Sequence, residues 1–334
     1  MKQSNAALWT IMTVLLIAVF FLSLAAGRFA IEPGAVFDIL VRAAGGNAGT
    51  DMASTVVLEL RLPRTLLAML VGAGLSLSGA VYQGIFRNPL VSPDVLGVSS
   101  GAGFGAVLGI LLWGTGMGTS VIAFACGMAS VGLAYYFSRS RGAVSMMSLV
   151  LSGIIISSIF SALISLVKYS ADPYDKLPAI TYWLMGSLSG ASWGQIAMAT
   201  PFILVGSGVI VALRWRLNVL ALSEDEARAA GVDVRRLRIV LIVCATVVTA
   251  SVVSLCGQVG WIGLIVPHAA RMLIGSDNRY LIPVCLLLGA SVMIMIDTIA
   301  RTLTASEIPV SVVTALVGAP FFITLLRRTG GVRT

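Results

Sequence analysis

The chain has 334 residues, of which 58% are hydrophobic and only 11% are charged, and its formal net charge is +8. Soluble domains carry about 25% charged residues, so the composition excludes an ordinary globular protein and predicts a multi-pass membrane protein. No basic cluster is interleaved with aromatic residues, and the positive charge is therefore assigned to membrane-flanking loops and not to nucleic acid binding. The four cysteines lie in apolar segments without a CxxC pair, which is typical of membrane-buried side chains.

Stretches without charge predict ten transmembrane helices in an all-α fold, with one domain covering residues 1–334. The N-terminal apolar run has no clear cleavage site and is interpreted as the first span. The segment 95–138 is too long for one helix and divides at the glycine-rich 114–118, and an irregular surface segment is expected around 182–192. The predicted spans are Leu8–Ala26, Thr65–Phe86, two within Val95–Ser138, Gly142–Val167, Gly194–Leu213, Ile239–Gly257, Gly260–Ile274, Tyr280–Ile296 and Ile308–Leu326.

The eighth span, Gly260–Ile274, is short and contains Pro267 and the only histidine, His268. Counting it gives ten spans and keeps the Arg327–Arg328 tail on the cytoplasmic side with the N-terminus, as the positive-inside rule favours. We expect Pro267 to break this helix near the inner face, where His268 bonds freed backbone groups or contacts a partner. A serine hydrolase using His268 is disfavoured because nothing in the sequence orients the histidine.

The second span is bracketed by Arg61 and Gln83, and the seventh by Arg236 and Gln258, each pair at an offset of 22 residues. This weak internal repeat is of the kind found in transporters built from inverted halves. The second span also carries small residues at i+4 spacing, a pattern that predicts close packing against another helix. These residues are Gly72, Ser76, Ala80 and Gly84.

A polar loop after the sixth span, about residues 217–236, contains the segment LSEDEARAAGV. Ser223 and Glu226 form a capping-box pair and Gly231 is placed as a C-terminal stop, so a short cytoplasmic helix is predicted. A helix resting on lipid is the alternative, but the segment lacks the bulky apolar face that this requires. We therefore expect it to dock a cytoplasmic partner.

Three arginines at outer helix ends oppose the positive-inside trend: Arg61, Arg64 and Arg301. They could extend to lipid phosphates, or pair locally with Glu59 and Asp297, which lie close to them in sequence. The functional alternative is a cationic rim that receives acidic side chains of an external partner. The residues alone leave these readings open.

The connection RNPLVSPDVLGVSSGAG, residues 87–103, separates the second and third spans on the cytoplasmic side. Pro89 and Pro93 stop one helix from running into the next. An ordinary connecting turn is one interpretation of this segment. The sequence contains no GxxxxGK[ST] motif, so ATP chemistry is not expected of this chain itself.

The motifs together resemble the FecCD-type permeases for ferric siderophores, haem and cobalamin, which are membrane subunits of type II ABC importers. The resemblance covers about residues 23–328. It rests on RLPR at 61–64, RNPL at 87–90 with PDxxG at 93–97, LxxxxAxxxG at 222–231, GLIVPHxxR at 263–271, DxxxR at 297–301, EIP at 307–309 and GAP at 318–320.

This resemblance implies a multi-pass protein of the bacterial inner membrane, with both termini cytoplasmic, that pairs with a second copy or a sister permease. It also implies two ATPase subunits, which hold the ATP and magnesium, and an external substrate-binding protein. The chain itself would be neither an enzyme nor a cofactor carrier. A stand-alone secondary carrier or channel is the alternative from another class.

The resemblance also assigns roles to residues. It implies binding-protein docking by Arg61, Arg64 and Arg301, and a cytoplasmic gate at Asn88, Leu90, Met146 and Met147, where the two methionines argue against cobalamin. The implied ATPase coupling helix comprises Leu222, Ser223, Glu224, Asp225, Glu226, Ala227, Arg228, Ala229, Ala230 and Gly231. The implied pathway lining comprises Ser152, Ser157, Ser158, Ser161, Ser311 and Thr314. A ferric siderophore is the expected substrate, with haem, cobalamin and an oxyanion such as molybdate as alternatives.

Overall fold

The computed structural model describes residues 2–47, 49–140, 143–222, 224–304 and 306–328. Within them the chain is almost entirely helical, apart from an antiparallel pair of two-residue strands, β1 (Arg139–Ser140) and β2 (Ala143–Val144). The helices are α1 (Lys2–Ala25), α2 (Pro33–Ala44), α3 (Met52–Thr55), α4 (Leu62–Ile85), α5 (Val98–Trp113), α6 (Met117–Phe137), α7 (Met146–Ser170), α8 (Lys176–Leu184), α9 (Trp193–Ala212), α10 (Glu224–Ala229), α11 (Val234–Cys256), α12 (Ile262–Ile274), α13 (Asn278–Thr302) and α14 (Val310–Arg328).

The predicted all-α fold with ten spans is confirmed. Within the described residues, seven helical stretches are long and apolar enough to cross a membrane, and the shorter apolar helices α5, α12 and α14 bring the number to ten. The short helices α2 and α8 were not predicted, and α8 includes the first residues of the segment expected to be irregular, 182–192.

The second span begins earlier than predicted, because α3, a π-helical turn at Val56–Arg61 and α4 form one continuous helix from Met52 to Ile85. Asp51 starts this helix by accepting a hydrogen bond from the backbone N–H of Ser54 at 3.2 Å. Charged residues in the N-terminal turns of this helix are the reason that the sequence did not predict them as part of the span.

The predicted break at Pro267 is wrong, since α12 continues through it from Ile262 to Ile274. A proline at this position leaves the carbonyl of Gly263 without its i+4 donor. That carbonyl faces Gly79 of α4 so closely that any side chain at Gly79 would collide with it. The absence of a side chain at Gly79 lets the two backbones meet at this carbonyl. His268 does not bond this carbonyl through Nδ1, which is buried and has no hydrogen-bond partner among the residues that the structure describes.

Helix α4 lies at the centre of the fold and packs against α9, α11, α12 and α13. The predicted small-residue stripe is a packing face: a side chain at Gly72 would collide with the backbone of Gly289 in α13, and Ser76 lies against that same glycine. Further along, Ala80 is 1% exposed. Such close backbone approach stabilises helix pairs in lipid.

The two glutamines of the internal repeat join opposite halves of the chain. Gln83 of α4 donates to the carbonyl of Leu264 in α12 at 3.3 Å. Gln258, which follows α11, donates to the carbonyl of Ser99 in α5 at 3.2 Å. Each glutamine therefore reaches the helix that follows the other glutamine's helix, which is the reciprocal arrangement an inverted repeat requires.

Candidate functional site

The connection between α4 and α5 is a succession of turns held by its own side chains. Asn88 accepts a hydrogen bond from the backbone N–H of Leu90 at 2.9 Å. Asp94 accepts one from the backbone N–H of Ser99 at 2.8 Å and so caps the start of α5. Gly97 has a left-handed φ of 83°, which suits glycine at this tight entry to the helix.

Helix α7 lies directly against this connection. A side chain at Gly153 would collide with the carbonyl of Val95. One turn further along, Ser157 lies beside Gly97. A Cβ added at Gly97 would be 2.8 Å from the Oγ of Ser157. The close approach at Gly153 thus aligns the serine face of α7 with the α4–α5 connection.

These two elements enclose an open cavity of about 570 Å³, which we call the inner cavity. It brings together the predicted gate residue Leu90 and three of the predicted lining serines. Asp94 also lines it and was not among the predicted site residues, although its motif was noted. The lining residues are Leu90, Val91, Ser92, Asp94, Val95, Ile154, Ser157, Ser158 and Ser161.

The other predicted lining and gate residues lie elsewhere. Ser311 lines a second cavity of about 350 Å³ that shares Ser92 and Asp94 with the first, and its Oγ donates to the carbonyl of Met185 at 2.6 Å. Ser152 and Thr314 are buried, at 8% and 1% exposure, and line neither cavity. Of the gate methionines, Met146 packs against the core and Met147 is 71% exposed.

The polar loop after α9 contains the predicted short helix, α10. It ends as predicted at Gly231, whose φ is 72°. The N–H of Val232 bonds back to the carbonyl of Ala227 at 3.1 Å, a Schellman closure in which glycine adopts the left-handed conformation. Ala227 is buried and Leu222 is 41% exposed. Ser223, the predicted cap, lies outside the described residues.

A 3₁₀ helix, Arg216–Ala221, leads into α10 and is fastened to two other loops. Asn218 donates to Asp277 Oδ1 at 2.7 Å and accepts from the backbone N–H of Asn278 at 2.9 Å, which ties it to the start of α13. The pKa of Asp277 is lowered, first by the backbone hydrogen bond from Arg279 and then by the Asn218 amide. On the other side, Arg87 donates to the carbonyl of Leu220 at 2.7 Å.

At the opposite end of the molecule, the three unusual arginines converge on one cluster with Asp297 and Glu307, which we call the outer charge cluster. Arg64 grips Asp297 with two nitrogens, Nε and Nη2, at 3.0 and 2.8 Å, and bonds Glu307 through Nη1 at 2.8 Å. Arg301 lies 3.7 Å from Asp297. The predicted local pairing of Asp297 with Arg301 is present.

The remaining donors of the outer charge cluster close the end of α1. Arg61 donates to the carbonyls of Leu24 and Ala25 at 2.7 and 2.9 Å, and Arg301 donates to that of Ala26 at 2.8 Å. The C-terminal carbonyls of a helix carry partial negative charge, so cations there are favourable. The predicted docking arginines are thus engaged inside the subunit, at 6% exposure for Arg61 and side-chain exposures of 9% for Arg301 and 12% for Arg64.

The model of the FecCD transport family matches residues 15–328. The chain belongs to the FecCD transport family. As a FecCD permease it is a multi-pass membrane subunit of an ABC importer, and this family implies ATPase partners and a substrate-binding protein. FecCD subunits are generally non-catalytic.

Relatives of this FecCD permease carry several names. It is 42% identical to the molybdate import system permease protein MolB of Haemophilus influenzae, over 93% of this chain and 92% of the other. It is 42% identical to the cobalamin import system permease protein BtuC of Halobacterium salinarum, over 83% and 74%. A solved structure, an inward-facing conformation of a putative metal-chelate type ABC transporter, aligns with a TM-score of 0.85 at 38% identity and covers 97% of this chain and 99% of that one.

Proposed function

We propose that this permease carries a metal chelate, of the ferric siderophore class, from an external binding protein to the cytoplasm. The observation that carries the proposal is the lining of the inner cavity: hydroxyl groups, apolar side chains and one carboxylate, with no Lys or Arg among its residues. A bulky neutral or cationic chelate can pass such a wall without a strong electrostatic contact, whereas a carboxylate repels a small dianion.

Molybdate is the second candidate, and one observation favours it. The Haemophilus influenzae relative named as a molybdate permease matches nearly the full length of this chain. In that case the oxyanion would cross as a solvated ion, and selection would reside in the binding protein.

The deciding experiment is uptake into proteoliposomes that contain the permease, its ATPases and its binding protein. We expect ATP-dependent uptake of an iron-55 siderophore complex and none of molybdenum-99 molybdate. Uptake of molybdate alone would reverse the substrate assignment. Uptake that persists without the ATPase subunits would instead overturn the importer mechanism.

We infer an orientation with both termini and α10 in the cytoplasm, where α10 docks in a groove of the ATPase. The inner cavity then opens toward the cytoplasm, with the gate residue Leu90 in its lining. We assign the rest of the gate to Asn88, Met146 and Met147, which do not line this cavity. Pairing with a second permease would close the cavity on its open side. The exposed apolar face of α7, which includes Leu151, Ile155 and Ile159, is the surface we assign to such pairing.

Docking of the binding protein at Arg61, Arg64 and Arg301 is part of the same proposal. Because these side chains are engaged internally, we assign their contribution to the excess positive charge of the outer charge cluster, which holds three cations against two anions. Neutralising the half-exposed Glu307 with Glu307→Gln should speed association with an acidic partner and steepen its salt dependence. An association rate unchanged at low salt would contradict docking at this site.

A further inference from the structure

We propose that Arg87 is a positioning residue that links the ATPase-docking helix α10 to the inner gate. Its guanidinium bonds two carbonyls of the segment leading into α10: Nε donates to Leu220 at 2.7 Å and Nη2 donates to Leu222 at 2.5 Å. We call this pair of bonds the Arg87 clamp. The proposal rests on the proposed function, because it assumes that α10 contacts an ATPase.

The acceptors of the clamp are suited to a cation. Leu220 and Leu222 lie at the C-terminal end of the 3₁₀ helix, where carbonyls lack partners within the helix and carry partial negative charge. A guanidinium presents several donors in a rigid fork, so one side chain holds both carbonyls in a fixed orientation. Only residue 223 separates Leu222 from the first residue of α10.

Apolar packing also holds the 3₁₀ helix whose end Arg87 bonds. Leu217 and Leu220 are 2% and 1% exposed and belong to the same core cluster as Tyr82 and Ile85 of α4. The segment before α10 is therefore seated on the cytoplasmic end of α4, and Arg87 closes over it. A displacement of α10 is carried to the α4–α5 connection through both contacts.

The backbone of Arg87 is itself unusual. Its φ is 50°, a left-handed conformation that it shares with one other non-glycine residue among those described, Trp261. Side chains disfavour this conformation, so it persists where surrounding contacts impose it. Here the turn directs the guanidinium toward the α10 segment, while the chain continues to Leu90, which lines the inner cavity. Arg87 thus joins the gate to residues 216–222, the segment that leads into α10, which we call the docking segment.

The test uses the complete complex with its ATPases. It places a reporter on the α4–α5 connection, residues 86–97, which we call the gate loop. Ser92→Cys places a near-isosteric thiol in the lining of the inner cavity. Its rate of labelling by a water-soluble maleimide is measured without nucleotide and after trapping with ATP and vanadate. The chain without the introduced cysteine gives the background from its native cysteines. We expect the trapped and free states to differ by about tenfold, as a free-energy difference of ~1.4 kcal/mol gives.

Arg87→Gly is the principal variant, because glycine keeps the left-handed turn and removes only the side chain. We expect its nucleotide-dependent difference in labelling to fall below about twofold, the loss of most of a charged hydrogen bond's effect, while ATP is still hydrolysed. Arg216→Gly is the matched control: it removes one positive charge from the same segment, where Arg216 stacks on Trp215 and makes no contact with the gate loop among the described interactions. It should respond like the parent.

A full nucleotide response in Arg87→Gly would overturn the clamp and leave the proposed function intact. A parent complex that binds no ATPase, or shows no response to nucleotide, would overturn both. If Arg87→Gly does not assemble, Arg87→Gln decides the matter. Its shorter, neutral amide cannot hold both carbonyls, so a response as large as the parent's would contradict the proposal.

Discussion

Helices α4 and α7 both cross the membrane as long apolar helices, yet the subunit uses them in opposite ways. In the most apolar window of the helix containing α4, 78% of residues are buried, against 17% for α7. The more apolar of the two is the exposed one. Hydropathy reports compatibility with the bilayer, while burial follows from small residues that admit a neighbouring backbone. Helix α4 lies at the centre of the fold, whereas α7 leaves most of its surface exposed and lines the inner cavity.

The largest loss of stability is expected when Asp297, the carboxylate that binds Arg64 of α4, is removed. Asp297→Ala would leave Arg64 and Arg301 buried without their shared anion, and we expect a loss of about 3–5 kcal/mol of stability. Thermal unfolding in detergent measures this loss. The exposed pair of Lys176 with Asp175 supplies the control, since Asp175→Ala should change stability by less than about 0.5 kcal/mol. Similar unfolding temperatures for the two variants would refute the anchoring role.

Two adjacent residues of α7 separate its inner and outer faces. Ile156 is 5% exposed and Ile155 is 60% exposed. We expect Ile156→Ala to cost about 2–4 kcal/mol because it opens a cavity inside the subunit. Ile155→Ala should leave the unfolding of the subunit nearly unchanged and weaken pairing with a second permease. Thermal unfolding and size-exclusion chromatography of both variants check this, and Ile155→Ala that pairs as tightly as the parent would contradict a role of the exposed face in pairing.

A single methyl group tests the backbone contact between α4 and α12. Gly79→Ala must push Gly263 away, and we expect a cost of about 1–3 kcal/mol from overpacking. Gly132 in α6 is the matched control, because nothing lies within 4 Å of a Cβ added there. Gly132→Ala should be neutral or slightly stabilising. If both alanine variants unfold at the parent's temperature, the contact is not tight.

The smallest expected effect concerns the loop that ties the docking segment to α13. Asp277 caps α13 and also bonds Asn218, so Asp277→Ala should cost about 1 kcal/mol near neutral pH. Because the pKa of Asp277 in the folded protein lies below the usual Asp value of about 3.9, this contribution is present above that value and is lost as pH falls through the folded pKa. Unfolding of parent and variant should therefore converge in strong acid. A difference that persists there would mean that the ionised carboxylate is not the stabilising form.

Charge-free stretches predicted nine of the ten spans, because the bilayer imposes length and apolarity on each of them, and the positive-inside rule was needed to count the short eighth. These sequence signals failed where a tertiary contact overrides a local preference of the backbone. Pro267 remains helical because Gly79 receives the freed Gly263 carbonyl, and the helix of α4 extends outward because Arg61 and Arg64 find buried partners. Short surface helices such as α2 lack a strong span signal.

The candidate site was predictable in its chain segments and less so in its side chains. The α4–α5 connection and the serine face of α7 were expected, and the structure places them around one cavity. Periodicity does not reveal which serine faces inward, so Ser152 was included although it is buried. Asp94 was overlooked because capping and cavity lining are properties of the turn it occupies, and Arg87 because its partners lie more than a hundred residues away.

The closure of α1 by two arginines bears on the order in which the chain is assembled during synthesis. Arg61 emerges soon after α1 and bonds its final carbonyls at a separation of 37 residues for Leu24. Arg301 follows much later, 275 residues after Ala26. In a nascent chain arrested before α13, the end of α1 can therefore make its bonds with Arg61 but not its bond with Arg301. The arginine near the end of α13 thus completes the contacts at the end of α1, so this set of contacts is complete only once the helices from α1 to α13 have been synthesised.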